Sequence, residues 1–192
     1  MCIRDRHYDA EEYEEAFDWA QKAAKTNDAK GQVIIGRSYD LGHGVTQSHT
    51  EAAKWYRLAA DQGDDLAQSN LGLMYVKGLG VSQDYTEAAK WIRLAADQGN
   101  ALAQTRLGGL YRRGWGVSQD YTEAATWYRK AADQGDAVSQ NNLGVSYEHG
   151  NGVAQSYSEA AKWYRLAADQ GSARGQTKLD LLCEEHPSTR GC

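Results

Sequence analysis

A block of 36 residues recurs along this 192-residue chain without slippage. Asp64 to Gly99 reads DDLAQSNLGLMYVKGLGVSQDYTEAAKWIRLAADQG, and Asn100 to Gly135 repeats it closely. Asp28 to Gly63 and Asp136 to Gly171 follow the same template. Trp19, Trp55, Trp91, Trp127 and Trp163 stand in register, as do Gly63, Gly99, Gly135 and Gly171. A fixed period of this length marks a repeat array, in which each copy is one supersecondary unit that buries its apolar face against its neighbours.

Each copy reads as two helices. In the second copy the first helix runs from about Asp64 to Lys77, with Leu66, Ala67, Leu71, Met74 and Tyr75 at helical spacing. Gly78 stops it and Gly80 lies in the turn. The second helix starts near Asp84, carries Ala88, Ala89, Trp91, Ile92, Ala95 and Ala96, and stops at Gly99. Ser48 with Glu51, Asp84 with Glu87, Asp120 with Glu123 and Ser156 with Glu159 have capping-box spacing. A helix of ~14 residues is marginal alone in water, so packing must hold each pair.

Glycine inside a helix costs about 1 kcal/mol relative to alanine. Gly36, Gly72, Gly108 and Gly144 nevertheless sit mid-helix in every copy. They predict a close approach that leaves no room for a side chain. The alanine pairs Ala59–Ala60, Ala95–Ala96, Ala131–Ala132 and Ala167–Ala168 predict the same. At the ends, residues 7–27 match a second helix only and 172–185 a first helix only, with Asp180 at the glycine position. The expectation is an all-α solenoid of about ten helices. Its parts are a half repeat at 7–27, full repeats at 28–63, 64–99, 100–135 and 136–171, a capping helix at 172–185 and a tail at 186–192.

The pattern A-x-x-x-L-G-x-x-Y-x-x-G-x-G-V, followed by D-Y-x-E-A-A-x-W-Y-R-x-A-A-D-Q-G, resembles the Sel-1-like repeat family, a relative of the tetratricopeptide repeats. The resemblance covers about Tyr8 to Cys183. It implies a bacterial α-α superhelix whose first helices line a concave face, and a scaffold that binds proteins or peptides. Some secreted relatives bridge the helices of every repeat with a disulfide. Here the repeats hold no cysteine, so that framework is absent.

The segment MCIRDR fits no repeat position and resembles a translated transposase adapter. Residues 1–6 are therefore expected to be non-native, Met1 not the true start and Cys2 not a native cysteine. The native leader would then be missing, and Phe17 and Trp19 would be exposed where a preceding helix packed. The protein is expected to be either exported or cytoplasmic. Cys183 and Cys192 either close a disulfide that locks the last helix or remain free thiols, according to compartment.

No run approaches the ~20 apolar residues of a membrane span. A net charge of −5 argues against an array-wide nucleic-acid surface. The five histidines, His7, His43, His49, His149 and His186, lack metal-site spacing. His43 and His149 read as solvated turn residues. The G-x-G turns recur in every copy with no strand before them and no G-K-[ST] after, so they read as inter-helix turns rather than phosphate loops. A penicillin-binding or β-lactamase activity attaches to some relatives, but S-x-x-K, S-D-N and K-T-G are absent. No enzyme, cofactor, metal or small-molecule ligand is expected.

Residues that drift between copies are where specificity should lie. One row of the first helices reads Ile34, Asn70, Arg106, Asn142, Lys178. A second reads Leu41, Lys77, Arg113, His149, and a third Arg37, Leu73, Gly109, Val145. The third full copy adds Arg112 and Trp115 to Arg106 and Arg113. Arginine and tryptophan are enriched at binding hot spots, and the guanidinium fork matches carboxylates and phosphates. The expected partner site is Asn70, Met74, Lys77, Arg106, Arg112, Arg113, Trp115, Asn142 and His149, taking an acidic peptide or phosphorylated group. The competing readings are a cell-wall hydrolase and an architectural appendage of a larger protein.

Overall fold

The structure is a computed structural model that describes residues 10–24, 27–189 and 191–192. The adapter-like leader, Cys2 and His7 lie outside the described residues. Among the described residues there are ten helices and no strand. They are α1 (Ala10–Ala24), α2 (Ala29–Leu41), α3 (His49–Asp61), α4 (Asp65–Lys77), α5 (Tyr85–Asp97), α6 (Ala101–Arg113), α7 (Tyr121–Asp133), α8 (Ala137–His149), α9 (Tyr157–Asp169) and α10 (Ala173–Glu185). The chain forms two compact units, 1–94 and 95–192, whose boundary falls within α5.

Helix ends follow the sequence signals, with one difference. Asp64, Asn100, Asp136 and Ser172 cap first helices by accepting from the amide three residues on. Ser48, Asp120 and Ser156 do the same for Glu51, Glu123 and Glu159 at second helices. The reciprocal half of the expected capping box is replaced. The cap amides of Ser48, Asp84, Asp120 and Ser156 donate to the carbonyls of Tyr39, Tyr75, Tyr111 and Tyr147. Each N-terminus is thereby tied to the preceding helix, and the glutamate is left for other partners.

The turn glycines answer to geometry. Gly78 closes α4 in the left-handed conformation at φ 67°, its amide donating to the Met74 carbonyl. Gly80, also left-handed, lies directly on the backbone of His49 and Thr50, where a β-carbon would collide. The second glycine of the turn is thus a seat for the start of the preceding repeat's second helix.

In the first unit, Val33, Ala52, Ala53, Tyr56, Ala59, Ala60, Ala67, Leu71 and Met74 form one core cluster, and Phe17, Ala20 and Ile35 another. Phe17 is 8% exposed and meets Tyr39 edge-on, contrary to the expectation that it would be uncovered. Trp19 is 60% exposed. In the second unit Tyr128, Leu143 and Trp163 anchor one cluster, and Tyr164, Leu179 and Leu182 another. The mid-helix glycines meet the side chain that fills each pair. A β-carbon on Gly36 would lie 2.8 Å from the Tyr56 ring, and one on Gly108 2.7 Å from Tyr128. Ile92 and Tyr164 stand likewise against Gly72 and Gly144. Buried glutamines satisfy the seams: Gln104 Nε2 donates to the Ala96 carbonyl and its Oε1 accepts from Gln134.

Candidate functional site

The first helices of the second unit carry the densest drifting residues. Arg113, at the last turn of α6, lays its guanidinium 4.9 Å from the centre of the Trp115 ring. Its Nη1 donates to the Gly109 carbonyl at 3.3 Å. Gly109 makes this fold-back easy, since a β-carbon there would lie 3.2 Å from that Nη1. Trp115 is 36% exposed, so one edge of the pair faces solvent. Arg112, one residue earlier and exposed, hydrogen-bonds the Tyr128 hydroxyl. Burial pushes the Tyr128 phenol up, while that hydrogen bond and the charges of Arg112, Arg113 and Arg174 pull it down. Arg113 lies close to the same hydroxyl, since a β-carbon on Gly109 would be within 3.2 Å of its Nη1 and 3.9 Å of Tyr128 Oη.

The next copy reverses the charge. Glu148 takes the position of Arg112, and its Oε2 accepts from the Tyr164 hydroxyl and, at 3.3 Å, from Lys178 Nζ. Burial, then this hydrogen bond and the Glu148 charge, hold the Tyr164 phenol far above the ordinary range. His149 is exposed beside Glu148, 3.9 Å away. Asn142 is half-buried, and its carbonyl accepts from the Ser146 hydroxyl. Arg106 is half-buried on α6.

In the first unit Asn70 is half-buried and Lys77 exposed. Met74 does not belong to a partner surface. It is 3% exposed and packs with Leu71 in the core, because the spacing from Leu71 puts both on one helix face. His43 also departs from the solvated-turn reading: it is half-buried and stacks on Tyr13 with ring centres 4.1 Å apart.

Three features escaped the sequence reading. Arg174 belongs to a position occupied elsewhere by Lys30, Leu66, Leu102 and Val138, so drift of charge at that position was its available signal. Arg57 and Arg129 stand in a position that is arginine in every full copy, so drift could not single them out. Arg57 donates to the Tyr75 hydroxyl and lies 5.3 Å from the Trp91 ring centre; Arg129 donates to Tyr147 and lies 5.0 Å from Trp163. Each arginine staples its helix to aromatic residues of the following copy. Finally, Glu123 accepts from Trp127 Nε1 at 3.2 Å, whereas Glu159 pairs with Lys162 and leaves the buried Trp163 Nε1 without a protein acceptor. Thr126 in place of the lysine is the cause.

The family model for the Sel1 repeat matches residues 10–28, 29–64, 65–100, 101–136 and 137–172. The chain belongs to the Sel1 repeat family. Sel1 repeat solenoids are commonly protein-interaction scaffolds. The chain is similar to a protective antigen present in uropathogenic Escherichia coli strains, whose crystal structure displays an SLR fold. The two are 37% identical with a TM-score of 0.86, over 94% of this chain and 38% of that one. A Sel1 repeat protein from Oxalobacter formigenes is 39% identical with a TM-score of 0.83, over 88% of this chain and 68% of that one. Helicobacter pylori cysteine rich protein B, 18% identical with a TM-score of 0.54 over 69% of this chain and 96% of that one, shares the fold alone. No curated protein matches the sequence. This Sel1 repeat chain thus spans well under half of the E. coli antigen's length. Among the described residues no helix is long and apolar enough to cross a membrane, and no group of three or more His, Cys, Asp or Glu could hold a metal ion.

Proposed function

We propose that this Sel1 repeat protein is a non-catalytic scaffold, and that α6 with its following turn docks an acidic segment of a partner protein. Arg112 and Arg113 supply the charge and Trp115 the apolar edge. Arg106, Asn142 and His149 lie on the same two first helices, α6 and α8. The observation that carries the reading is the Arg113–Trp115 pair, standing beside Arg112 where it hydrogen-bonds the Tyr128 hydroxyl. Such a surface supplies bidentate donors for carboxylates and an aromatic anchor in one place. Glu148, on the next copy, would repel an acidic chain and so limits the length that can lie along this face.

The test uses a fluorescein-labelled glutamate-rich peptide as probe, titrated with the full chain. Arg112→Ala with Arg113→Ala should weaken binding about tenfold or more. Helicity measured by circular dichroism should not change. Affinity should fall as salt rises. Undiminished binding by the double variant would overturn the assignment.

A further inference from the structure

The described part of the tail is docked, and the last arginine of the series shows onto what. Arg57 and Arg129 each donate to a tyrosine hydroxyl in the following copy. At the equivalent of Tyr75 and Tyr147 the last copy has Cys183. Arg165, in the same series, donates through Nη2 to the Gly191 carbonyl at 2.6 Å. Gly191 also lies against α9, where a β-carbon would be 3.3 Å from that of Ala161. His186 stacks on Tyr157 with ring centres 3.8 Å apart. Cys183 packs beside Ala160, Ala161 and Tyr164, and is joined to Cys192 with Cα atoms 5.3 Å apart.

Gly191 thereby forms one wall of an open groove of about 470 Å³, lined also by Ser158, Glu159, Lys162, Arg165, Leu166 and Asp169. The corresponding groove on α3 is lined by Thr50, Lys54, Arg57, Leu58 and Asp61, with Tyr75, Gly80 and Val81 of the next copy as its far wall. On α9 the tail stands where the next copy would.

We propose that the Cys183–Cys192 bond is a redox latch that holds the tail in this seat, and that its reduction releases the tail from Arg165 and the α9 groove. A dithiol performs the step. Its thiolate attacks the Sγ of Cys192, which is exposed, and the Cys183 thiolate leaves and takes up a proton. The second thiol of the reductant resolves the mixed disulfide. Two protein thiols and one oxidised dithiol result, with two electrons transferred. Without the covalent link, the Gly191 contact must be held against the entropy of the free tail.

The experiment compares oxidised and dithiothreitol-treated full chain. Maleimide mass labelling counts the thiols, and deuterium exchange follows the peptide covering 186–192. The tail amides of His186, Thr189 and Cys192 donate to Leu182, His186 and Thr189. Their exchange should accelerate about tenfold on reduction, with global helicity unchanged. Cys192→Ser, which changes only an exposed residue, should exchange like the reduced chain without reductant. Gly191→Ala, strained at φ 109° and pressed on Ala161, should speed tail exchange while the bond stays intact. If no bond forms under air oxidation, or tail exchange is equal in the two redox states, the latch is refuted. A wild-type exchange pattern in Gly191→Ala would refute the seat.

Discussion

The buried seam between α6 and α7 and the exposed face of α6 begin one residue apart, at Gly108 and Gly109. The first glycine recurs in every full copy and the second in one. A β-carbon on Gly108 would lie 2.7 Å from the Tyr128 ring and 3.1 Å from the Ala124 carbonyl, with ring and backbone both fixed. A β-carbon on Gly109 would meet the tip of Arg113 at 3.2 Å and the Tyr128 hydroxyl at 3.9 Å. Recurrence therefore separates two uses of the same residue. The repeated glycine is a steric demand of the fold, and the solitary one makes room for a charged side chain.

The comparison breaks most visibly in the seam. Gly108→Ala gains up to about 1 kcal/mol of helix propensity but overpacks a closed interface, at a cost of about 1–3 kcal/mol or more. A backbone carbonyl and a buried ring cannot both retreat, so the net change should be a loss. Urea unfolding monitored by circular dichroism should show a lower midpoint with an unchanged slope. A midpoint at or above that of the wild type would mean that the seam can open, and that the glycine row reflects something other than close packing.

The tyrosine hydroxyls emerge where seam meets face, and they predict an alkaline limit. Burial raises both Tyr128 and Tyr164, and Tyr164 also donates to Glu148. The unfolded chain releases these protons near the ordinary value of 10.0, whereas the folded chain holds them to higher pH. Their contribution is fully present below that value and is lost as pH rises above it toward the folded values. Stability measured by urea titration should thus decline steeply above about pH 10. Tyr164→Phe should show a shallower decline, because one of the two phenols is gone. An unaltered slope would remove Glu148–Tyr164 as a coupled pair.

How much of this was legible depended on whether a residue's role is local. The caps, the turn glycines and the ten helices follow from spacing along one helix, and they stand where the repeat pattern puts them. The glycine row was readable because an energetic cost borne in every copy requires a compensating contact. Met74 was misplaced because membership of a first helix says nothing about which face is covered; its spacing from Leu71 did. Arg57 and Arg129 reach rings in the following copy, and Arg165 reaches the tail, so no single-helix rule finds them. The charge reversal from Arg112 to Glu148 was visible as letters, but its meaning required knowing that both meet a tyrosine hydroxyl.

The smallest effect belongs to the exposed face and is the sharpest check on the contrast. Gly109→Ala removes a helix-interior glycine, which favours the folded state by about 0.5–1 kcal/mol. Opposing this, the new methyl displaces Arg113 from its seat, and the exposed 3.3 Å hydrogen bond to the Gly109 carbonyl is lost. An exposed arginine has many other rotamers and water to replace that bond, so little is forfeited. The balance should be a small rise in the unfolding midpoint, opposite in sign to Gly108→Ala one residue away. Displacing Arg113 also separates it from Trp115, so the same variant should bind the glutamate-rich probe more weakly while being more stable. Stability and binding moving in opposite directions would assign Gly109 to the partner surface; a loss of both would place it with the seam.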